Sequence, residues 1–132
     1  MAVGVLLVTH GELGAELLRI ASAIMGEPPL PCAAVSVAQD RDPEQARAEL
    51  GARLAGLEQG DGVLVLVDLF GATPCNVVRL LPDAHPCALV TGANLPMLLR
   101  VFNYPDLDLP GLVEKALGGG RDGVHRISDL EF

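Results

Sequence analysis

The chain has 132 residues, of which 50% are hydrophobic, 3% aromatic and 20% charged, and its formal net charge at pH 7 is −8. This composition excludes a disordered chain, and the length predicts a single domain, residues 1–132, whose core needs neither a metal nor a disulfide. The acidic balance argues against nucleic acid and anionic membranes as partners, because both are bound through clustered lysine and arginine.

The cysteines and the N-terminal residues bear on where the protein is located in the cell. Cys32, Cys75 and Cys87 form an odd set without a Cys-x-x-Cys spacing, which predicts free thiols. The apolar N-terminal run lacks the basic start of a signal peptide, and it is broken at His10 before it could span a membrane. We therefore expect a cytoplasmic protein with no direct membrane insertion.

The first half of the chain alternates apolar runs with amphipathic segments. The near-continuous apolar run at 3–8 predicts a strand buried on both faces, and the apolar spacing that follows predicts a helix over 13–25. A second strand is predicted at 32–37. The Asp-Pro pair at 42–43 predicts the start of a helix that ends before the Gly-Asp-Gly at 60–62. The inward face of that helix is predicted to consist of Ala46, Leu50, Leu54 and Leu57.

The second half of the chain continues this alternation. Strands are predicted at 62–67 and 87–90, and Asn94 is predicted to cap a helix over 96–102. Three consecutive glycines at 118–120 predict a flexible joint. The remaining predicted elements are helices over 73–81 and 111–117 and a short final strand at 124–127.

The order of the predicted elements indicates the fold class. Strands alternate with helices in units of about 30 residues, as in right-handed βαβ crossovers. The sequence therefore predicts an α/β fold with a doubly wound, mostly parallel sheet and helices on both faces. The short C-terminal strand is expected at the edge of the sheet, where it could be exchanged in a dimer.

Two predicted strands end in residues that can do chemistry. His10 follows the first strand and Asp68 follows the third. Such strands are commonly neighbours in a doubly wound sheet, so we expect His10 and Asp68 to meet within hydrogen-bonding reach. A carboxylate bound to one imidazole nitrogen fixes the tautomer and leaves the other nitrogen free to attack. Taken alone, each residue is also consistent with a structural role at a strand end.

Two predicted helix starts flank this pair, one after Gly11 and one at Thr73. The N–H groups of helix N-termini bind anions, and glycine lets the backbone approach a ligand closely. Gly11, Gly71, Ala72 and Thr73 are therefore the candidate phosphoryl-binding residues. With a nucleophilic histidine beside them, they predict phosphoryl transfer through a phosphohistidine.

Four stretches of the chain carry a family resemblance. They are Val-Thr-His-Gly at 8–11, Asp-Leu-Phe-Gly-Ala-Thr-Pro-Cys-Asn at 68–76, Gly-Ala-Asn-Leu-Pro-Met-Leu at 92–98 and Gly-Arg-Asp-Gly-Val at 120–124. In order and spacing, the sequence resembles the IIA component of the mannose-type bacterial sugar phosphotransferase system. The stretch at 68–76 is the most specific of the four, and the resemblance covers nearly the whole chain.

The resemblance implies roles for residues and a set of partners. His10 matches the phosphorylated histidine of the family, and Asp68 matches the aspartate that orients it. The family receives its phosphoryl group from a histidine phosphocarrier protein, which enzyme I charges from phosphoenolpyruvate, and passes it to a IIB component. Members commonly form homodimers that exchange the C-terminal strand, and no cofactor is expected. Thr73 stands where serine is common, which keeps a hydroxyl near the phosphoryl site. Cys75 stands where an aromatic is common, which bears on the partner surface rather than on the chemistry.

Two other functions fit parts of this pattern. A regulatory module would use the same His10 chemistry, but a partner protein would read its phosphorylation state without sugar transport. A response-regulator receiver domain would be phosphorylated on Asp68. A receiver, however, needs an acidic pair after the first strand, where this chain has Thr9 and His10, and a late lysine, for which only Lys115 is available.

The sequence does not predict a metal site. His10, His85 and His125 are far apart and show no ligand spacing. The last two are expected to lie on the surface. The cysteines lie within or beside predicted strands and helices, where they are expected to be small core residues.

Overall fold

The computed structural model describes residues 2–37, 42–70 and 87–128. Within these residues the chain forms four strands and four helices. The strands are β1 (Gly4–Thr9), β2 (Cys32–Ser36), β3 (Val63–Val67) and β4 (Cys87–Thr91), and the helices are α1 (Leu13–Met25), α2 (Pro43–Leu57), α3 (Leu95–Phe102) and α4 (Leu109–Asp122). The predicted helix over 73–81 lies outside the described residues.

The strands form one parallel sheet in the order β2-β1-β3-β4. The first and third strands are therefore central neighbours, and Val8 lies opposite both Val35 of β2 and Val67 of β3. Because parallel neighbours run in the same direction, the carboxyl ends of β1 and β3 open at one edge of the sheet. This arrangement confirms the predicted α/β fold and the predicted adjacency of the two strands.

The two faces of the sheet are both buried, as the apolar runs predict. On one face, Val5 and Leu7 of β1 pack in a cluster with α1, α3 and α4. On the other face, Leu6 and Val8 pack in a cluster with α2. The predicted inward face of α2 is confirmed, and its buried residues are Ala46, Leu50, Leu54 and Leu57.

Helices α2 and α3 begin at the capping residues that the sequence predicts. Asp42 accepts a hydrogen bond from the N–H of Glu44 through Oδ1, at 3.1 Å. Asn94 does the same for the N–H of Met97, at 2.9 Å, which confirms its predicted role. Each bond gives an acceptor to a first-turn N–H that has none within its own helix. Among the described residues, no helix combines the length and the apolar character that a membrane span requires.

The glycines at 118–120 are helical, so the predicted flexible joint is wrong. Helix α4 continues to Asp122 because these glycines let it approach α3 closely. A Cβ atom at Gly119 would overlap Arg100 Cβ, and one at Gly120 would lie 2.8 Å from Met97 Cε. Packing against α3 therefore outweighs the low helix propensity of glycine, which disfavours a helix by about 1 kcal/mol per residue.

The predicted strand at 124–127 is absent from the sheet of the single chain. Residues 124–128 follow α4 without regular structure, and the side chains of Val124 and Ile127 are 80% and 53% exposed. A strand forms only where its backbone meets the N–H and C=O groups of another strand. The described residues of one chain bring no such strand to this segment.

Candidate functional site

The candidate site lies where β1 and β3 end side by side. The pairing of the two strands leaves His10 and Asp68 as the next residue after each of them. His10 Nδ1 lies 3.0 Å from Asp68 Oδ2, and the backbone N–H of His10 donates to the same oxygen at 3.1 Å. The structure thus brings together the two residues that the sequence predicts to meet.

The two side chains differ in their exposure to solvent. The His10 side chain is 37% exposed, whereas the Asp68 side chain is only 11% exposed. With a carboxylate as its acceptor, Nδ1 carries the ring proton in the neutral imidazole, which leaves the lone pair on Nε2. The arrangement therefore presents an unprotonated ring nitrogen from a partly exposed side chain that is held by a buried carboxylate.

The carboxylate of Asp68 makes both of these contacts through one oxygen. Oδ2 accepts both hydrogen bonds from His10, whereas Oδ1 is buried and has no hydrogen-bond partner among the described residues. A buried acceptor without a partner is unfavourable. Among the described residues, the contacts that hold the Asp68 carboxylate are therefore the two with His10, and its position at the end of β3 places it there.

The turn between β1 and α1 shapes the backbone around His10. Gly11 has a φ of +52°, in the left-handed region that glycine adopts without strain. The carbonyl of His10 accepts a long hydrogen bond from Leu13, at 3.4 Å. The N–H groups of Gly11 and Glu12, in contrast, donate to no acceptor among the described residues. These two N–H groups precede the positive end of the α1 dipole, where an anion is stabilised.

Sequence reasoning did not single out Thr9 as a site residue. Its side chain is fully buried, and Oγ1 accepts a hydrogen bond from the N–H of Gly14 at 2.8 Å. The available signal was a threonine that ends an apolar strand immediately before the histidine. The predicted strand ends at position 8, so the sequence gives Thr9 no role of its own.

The other predicted phosphoryl-binding residues lie outside the described part of the chain. These are Gly71, Ala72 and Thr73, and the same holds for Cys75 and His85. The two residues that directly follow Asp68 are described and exposed, Leu69 by 59% and Phe70 by 74%. They place apolar surface beside the His10–Asp68 pair.

A cavity of about 380 Å³ lies between the end of β4 and the facing ends of α3 and α4. Asn94 lines it and donates from Nδ2 to the carbonyls of Gly92 and Gly120, at 3.3 and 3.4 Å. Among the described residues that line it, Arg121 is the one charged side chain, and none is a histidine, a cysteine or a carboxylate. His10 and Asp68, the pair to which the sequence assigns the chemistry, are not among the residues that line this cavity.

The described residues also bear on the metal and receiver interpretations. No group of three or more His, Cys, Asp or Glu side chains among them could hold a metal ion. His125 is exposed, as predicted.

Cys32 is half-buried, whereas Cys87 is exposed, so the prediction of a core position is wrong for Cys87. Lys115, the late lysine, lies over the ring of Tyr104 at 4.0 Å.

Comparison with known proteins gives a consistent result. A family model described as the PTS system fructose IIA component, EIIA-man, matches residues 4–117. The PTS system mannose-specific EIIAB component of Escherichia coli (strain K12) is 31% identical over 127 residues, which cover 94% of this chain. The chain spans 39% of the length of that relative.

Solved structures show the same similarity. The mannose/sorbose-specific IIA subunit of the phosphotransferase system from Enterococcus faecalis superposes with a TM-score of 0.83 at 29% identity, covering 100% of this chain and 99% of that one. The phosphotransferase system component EIIA from Streptococcus agalactiae has a TM-score of 0.79 at 21% identity, with coverage of 94% and 96%. At that identity, the second structure bears on the fold alone.

Proposed function

This chain belongs to the EIIA-man family of phosphotransferase-system IIA components, and from that premise we propose that it carries a phosphoryl group on His10. In this proposal, His10 receives the group from a histidine phosphocarrier protein and passes it to a IIB component. The observation that carries the proposal is the 3.0 Å contact between His10 Nδ1 and Asp68 Oδ2, which leaves Nε2 free to attack.

The proposed transfer is a displacement at phosphorus. The Nε2 lone pair of His10 forms the new N–P bond while the bond from phosphorus to the donor's imidazole nitrogen breaks, and its electron pair stays on the donor. The Nδ1 proton stays in the hydrogen bond to Asp68, whose carboxylate stabilises the positive charge that the ring gains. Passing the group on reverses these roles, with His10 as the leaving group.

The phosphoryl oxygens need donors, because their charge is spread over three atoms during transfer. We assign part of this role to the N–H groups of Gly11 and Glu12, which have no acceptor among the described residues. Gly71, Ala72 and Thr73 are proposed to supply the rest from the chain that follows Asp68. The exposed nitrogen of His10 would then meet the incoming group between two sets of donors.

Partner binding is proposed for the exposed apolar side chains around the site. Leu13, Leu69 and Phe70 are 45%, 59% and 74% exposed and lie within a few residues of His10 or Asp68 in the chain. The relative from Escherichia coli is named an EIIAB component, which supports a IIB component as the acceptor. We also propose a homodimer, in which the segment after α4 pairs with β4, the last strand of the described sheet, in a second copy.

A phosphorylation assay tests the proposal. The protein is incubated with phosphoenolpyruvate, enzyme I and the histidine phosphocarrier, and its intact mass is measured at neutral pH, with His10→Ala as the control. We expect one acid-labile phosphate on His10, which is lost when a IIB component is added. No phosphate on His10, with both donors shown to be active, overturns the carrier function. A stable phosphate that no IIB component removes favours the regulatory alternative.

A further inference from the structure

Thr9 is unusual because it is the one polar residue that is fully buried among the described residues. It ends β1 and directly precedes His10. Its side-chain oxygen accepts a hydrogen bond from the N–H of Gly14 at 2.8 Å, in the first turn of α1. First-turn N–H groups have no acceptor within their own helix, so Thr9 provides what no residue of α1 can.

The contact between Thr9 and Gly14 is tightly built. A Cβ atom at Gly14 would lie 3.1 Å from Thr9 Oγ1 and 3.1 Å from Leu7 Cβ, so glycine leaves the room for this approach. The carbonyl of Thr9 accepts a hydrogen bond from Val37 at 2.9 Å, which ties the end of β1 to the residue after β2. Thr9 precedes His10 in the chain and Gly14 follows it. Their hydrogen bond therefore joins the end of β1 to the start of α1 across the turn that carries His10.

His10 depends on this joint, because its own backbone contact with α1 is weak. The hydrogen bond from Leu13 to the His10 carbonyl is 3.4 Å long, whereas the bond from Gly14 to Thr9 is 2.8 Å long. The shorter bond is thus the stronger link between the strand and the helix across the turn. Without it, the turn that carries the imidazole and the N–H groups of Gly11 and Glu12 could shift relative to Asp68.

We propose that Thr9 is a positioning residue for phosphoryl transfer, which acts by fixing the turn that presents the His10 imidazole to Asp68. The inference rests on the proposed function, since it assigns Thr9 to the same site. In this role, the hydroxyl bonds to the N–H of Gly14 and contacts neither the imidazole nor an incoming phosphoryl group. Its effect reaches the reaction through the geometry of His10, where small displacements have large consequences for rate.

Two substitutions separate the hydroxyl from the shape of the side chain. Thr9→Val keeps the branched shape but removes the acceptor for Gly14, whereas Thr9→Ser keeps the acceptor and loses a methyl group. We expect Thr9→Val to slow phosphorylation of His10 by about tenfold to 100-fold. Thr9→Ser is expected to restore the rate to within about threefold of the wild type, a difference too small to indicate displacement of the site.

A spectroscopic measurement tests the same point without phosphoryl transfer. Nitrogen-15 NMR of the His10 ring reports whether the proton stays on Nδ1, where it bonds to Asp68. We expect the wild type and Thr9→Ser to show a single Nδ1–H form and Thr9→Val to show a mixture of tautomers. Gly119→Ala, which perturbs the contact between α3 and α4 far along the chain, controls for loss of stability and should leave this signal unchanged.

The outcomes are distinct. Wild-type rates and a wild-type ring signal in Thr9→Val overturn the positioning role, as does a Thr9→Ser variant that is no better than Thr9→Val. If the Gly119→Ala control slows transfer as much at the same loss of thermal stability, the effect of Thr9 is merely structural. If the wild type accepts no phosphate, the proposed function fails, and with it the role in transfer, whereas the NMR comparison still decides whether Thr9 positions the imidazole.

Discussion

His10 and Asp68 differ in burial in the way that the proposed carrier function requires. A phosphoryl carrier must expose its nucleophile to two partners, and an exposed imidazole would ordinarily turn freely. Here the 37% exposed imidazole is anchored by a carboxylate that is only 11% exposed. The buried carboxylate is less screened by water, so its hydrogen bond to the ring can hold a preferred orientation.

Replacing His10 separates this chemistry from the fold. We expect His10→Ala to abolish phosphorylation, because no other group beside Asp68 among the described residues presents a ring nitrogen. The partly exposed ring contributes little packing, but its loss removes a hydrogen bond from the largely buried Asp68 carboxylate, so the free energy of unfolding should fall by about 1–3 kcal/mol with the fold intact. Intact mass after the phosphorylation assay measures the loss of phosphorylation, and thermal unfolding measures the change in stability. Phosphate on the Ala variant would place the reacting residue elsewhere.

Replacing Asp68 tests the orienting role. Asp68→Asn preserves the size of the side chain but removes the negative charge that stabilises the ring and the acceptor that fixes its tautomer. We expect the rate of phosphorylation to fall by about 10²- to 10⁴-fold without reaching zero, as for a triad aspartate. Rapid-quench measurement of phosphoprotein formation gives the rate. A variant that transfers as fast as the wild type would rule out orientation by this carboxylate.

Cys32 allows a test of burial at a second titratable residue. Burial raises the pKa of the Cys32 thiol, because the charged thiolate is less well solvated in β2 than in the unfolded chain. Cys32 should therefore react slowly with iodoacetamide at neutral pH, and faster once the protein is unfolded in urea. Peptide mapping of the alkylated protein gives both rates, and equal rates in the two states would contradict the raised pKa.

The same pKa shift predicts how stability depends on pH. Since the folded-state pKa exceeds the unfolded one, the contribution of Cys32 is complete below the unfolded pKa of about 8.5 and is lost as pH rises through the folded pKa. Comparing urea unfolding of the wild type with that of Cys32→Ala from pH 7 to pH 10 isolates this contribution. A difference between the two proteins that stays constant with pH would contradict it.

At the scale of the elements, a glycine of α4 allows this helix to pack closely against α3. Gly119 packs against Arg100, whereas a Cβ at Gly118 would find its nearest neighbour at 3.7 Å, an ordinary contact. We expect Gly119→Ala to destabilise the protein by about 1–3 kcal/mol through overpacking. The matched variant Gly118→Ala should instead stabilise it by about 0.5–1 kcal/mol through helix propensity. Urea unfolding measures both, and equal effects would mean that the close approach does not matter.

The elements also show which features could be predicted from sequence. Helix α1 and the caps at Asp42 and Asn94 were predictable because their signals are local, namely apolar spacing and a capping side chain. The adjacency of His10 and Asp68 followed from a general rule for parallel sheets. These features depend on short stretches of chain or on regularities shared by many folds.

Other features depend on contacts between distant residues. The length of α4 is set by Gly119 against Arg100, and nothing near the glycines in the sequence reveals that contact. Thr9 directly follows the predicted strand, and the sequence does not reveal that its hydroxyl accepts a hydrogen bond from α1. The segment 124–127 has the composition of a strand, but its pairing requires a backbone that the described residues of one chain do not bring there.

At the scale of the whole molecule, β4 is the last strand of the described sheet. Cys87 is exposed in that strand, and Leu89 is 37% exposed. The segment after α4 also carries exposed apolar side chains, with Val124 at 80% exposure and Ile127 at 53%. The outer strands of a sheet can pair with another chain, and exposed apolar side chains gain free energy when they are buried.

These two surfaces predict the oligomeric state. If the segment after α4 pairs with β4 of a second copy, the full chain should be a homodimer at micromolar concentration, measured by light scattering. Ile127→Asp would place a charge in the buried pairing and should shift the protein towards the monomer. His125→Ala, in the same segment, removes an exposed polar side chain and serves as the control.

A wild-type monomer would contradict the exchange, and an Ile127→Asp variant as dimeric as the wild type would place the interface elsewhere. Since His10 lies at the end of a central strand rather than at this edge, the monomeric variant should still accept phosphate, so assembly and chemistry can be tested separately.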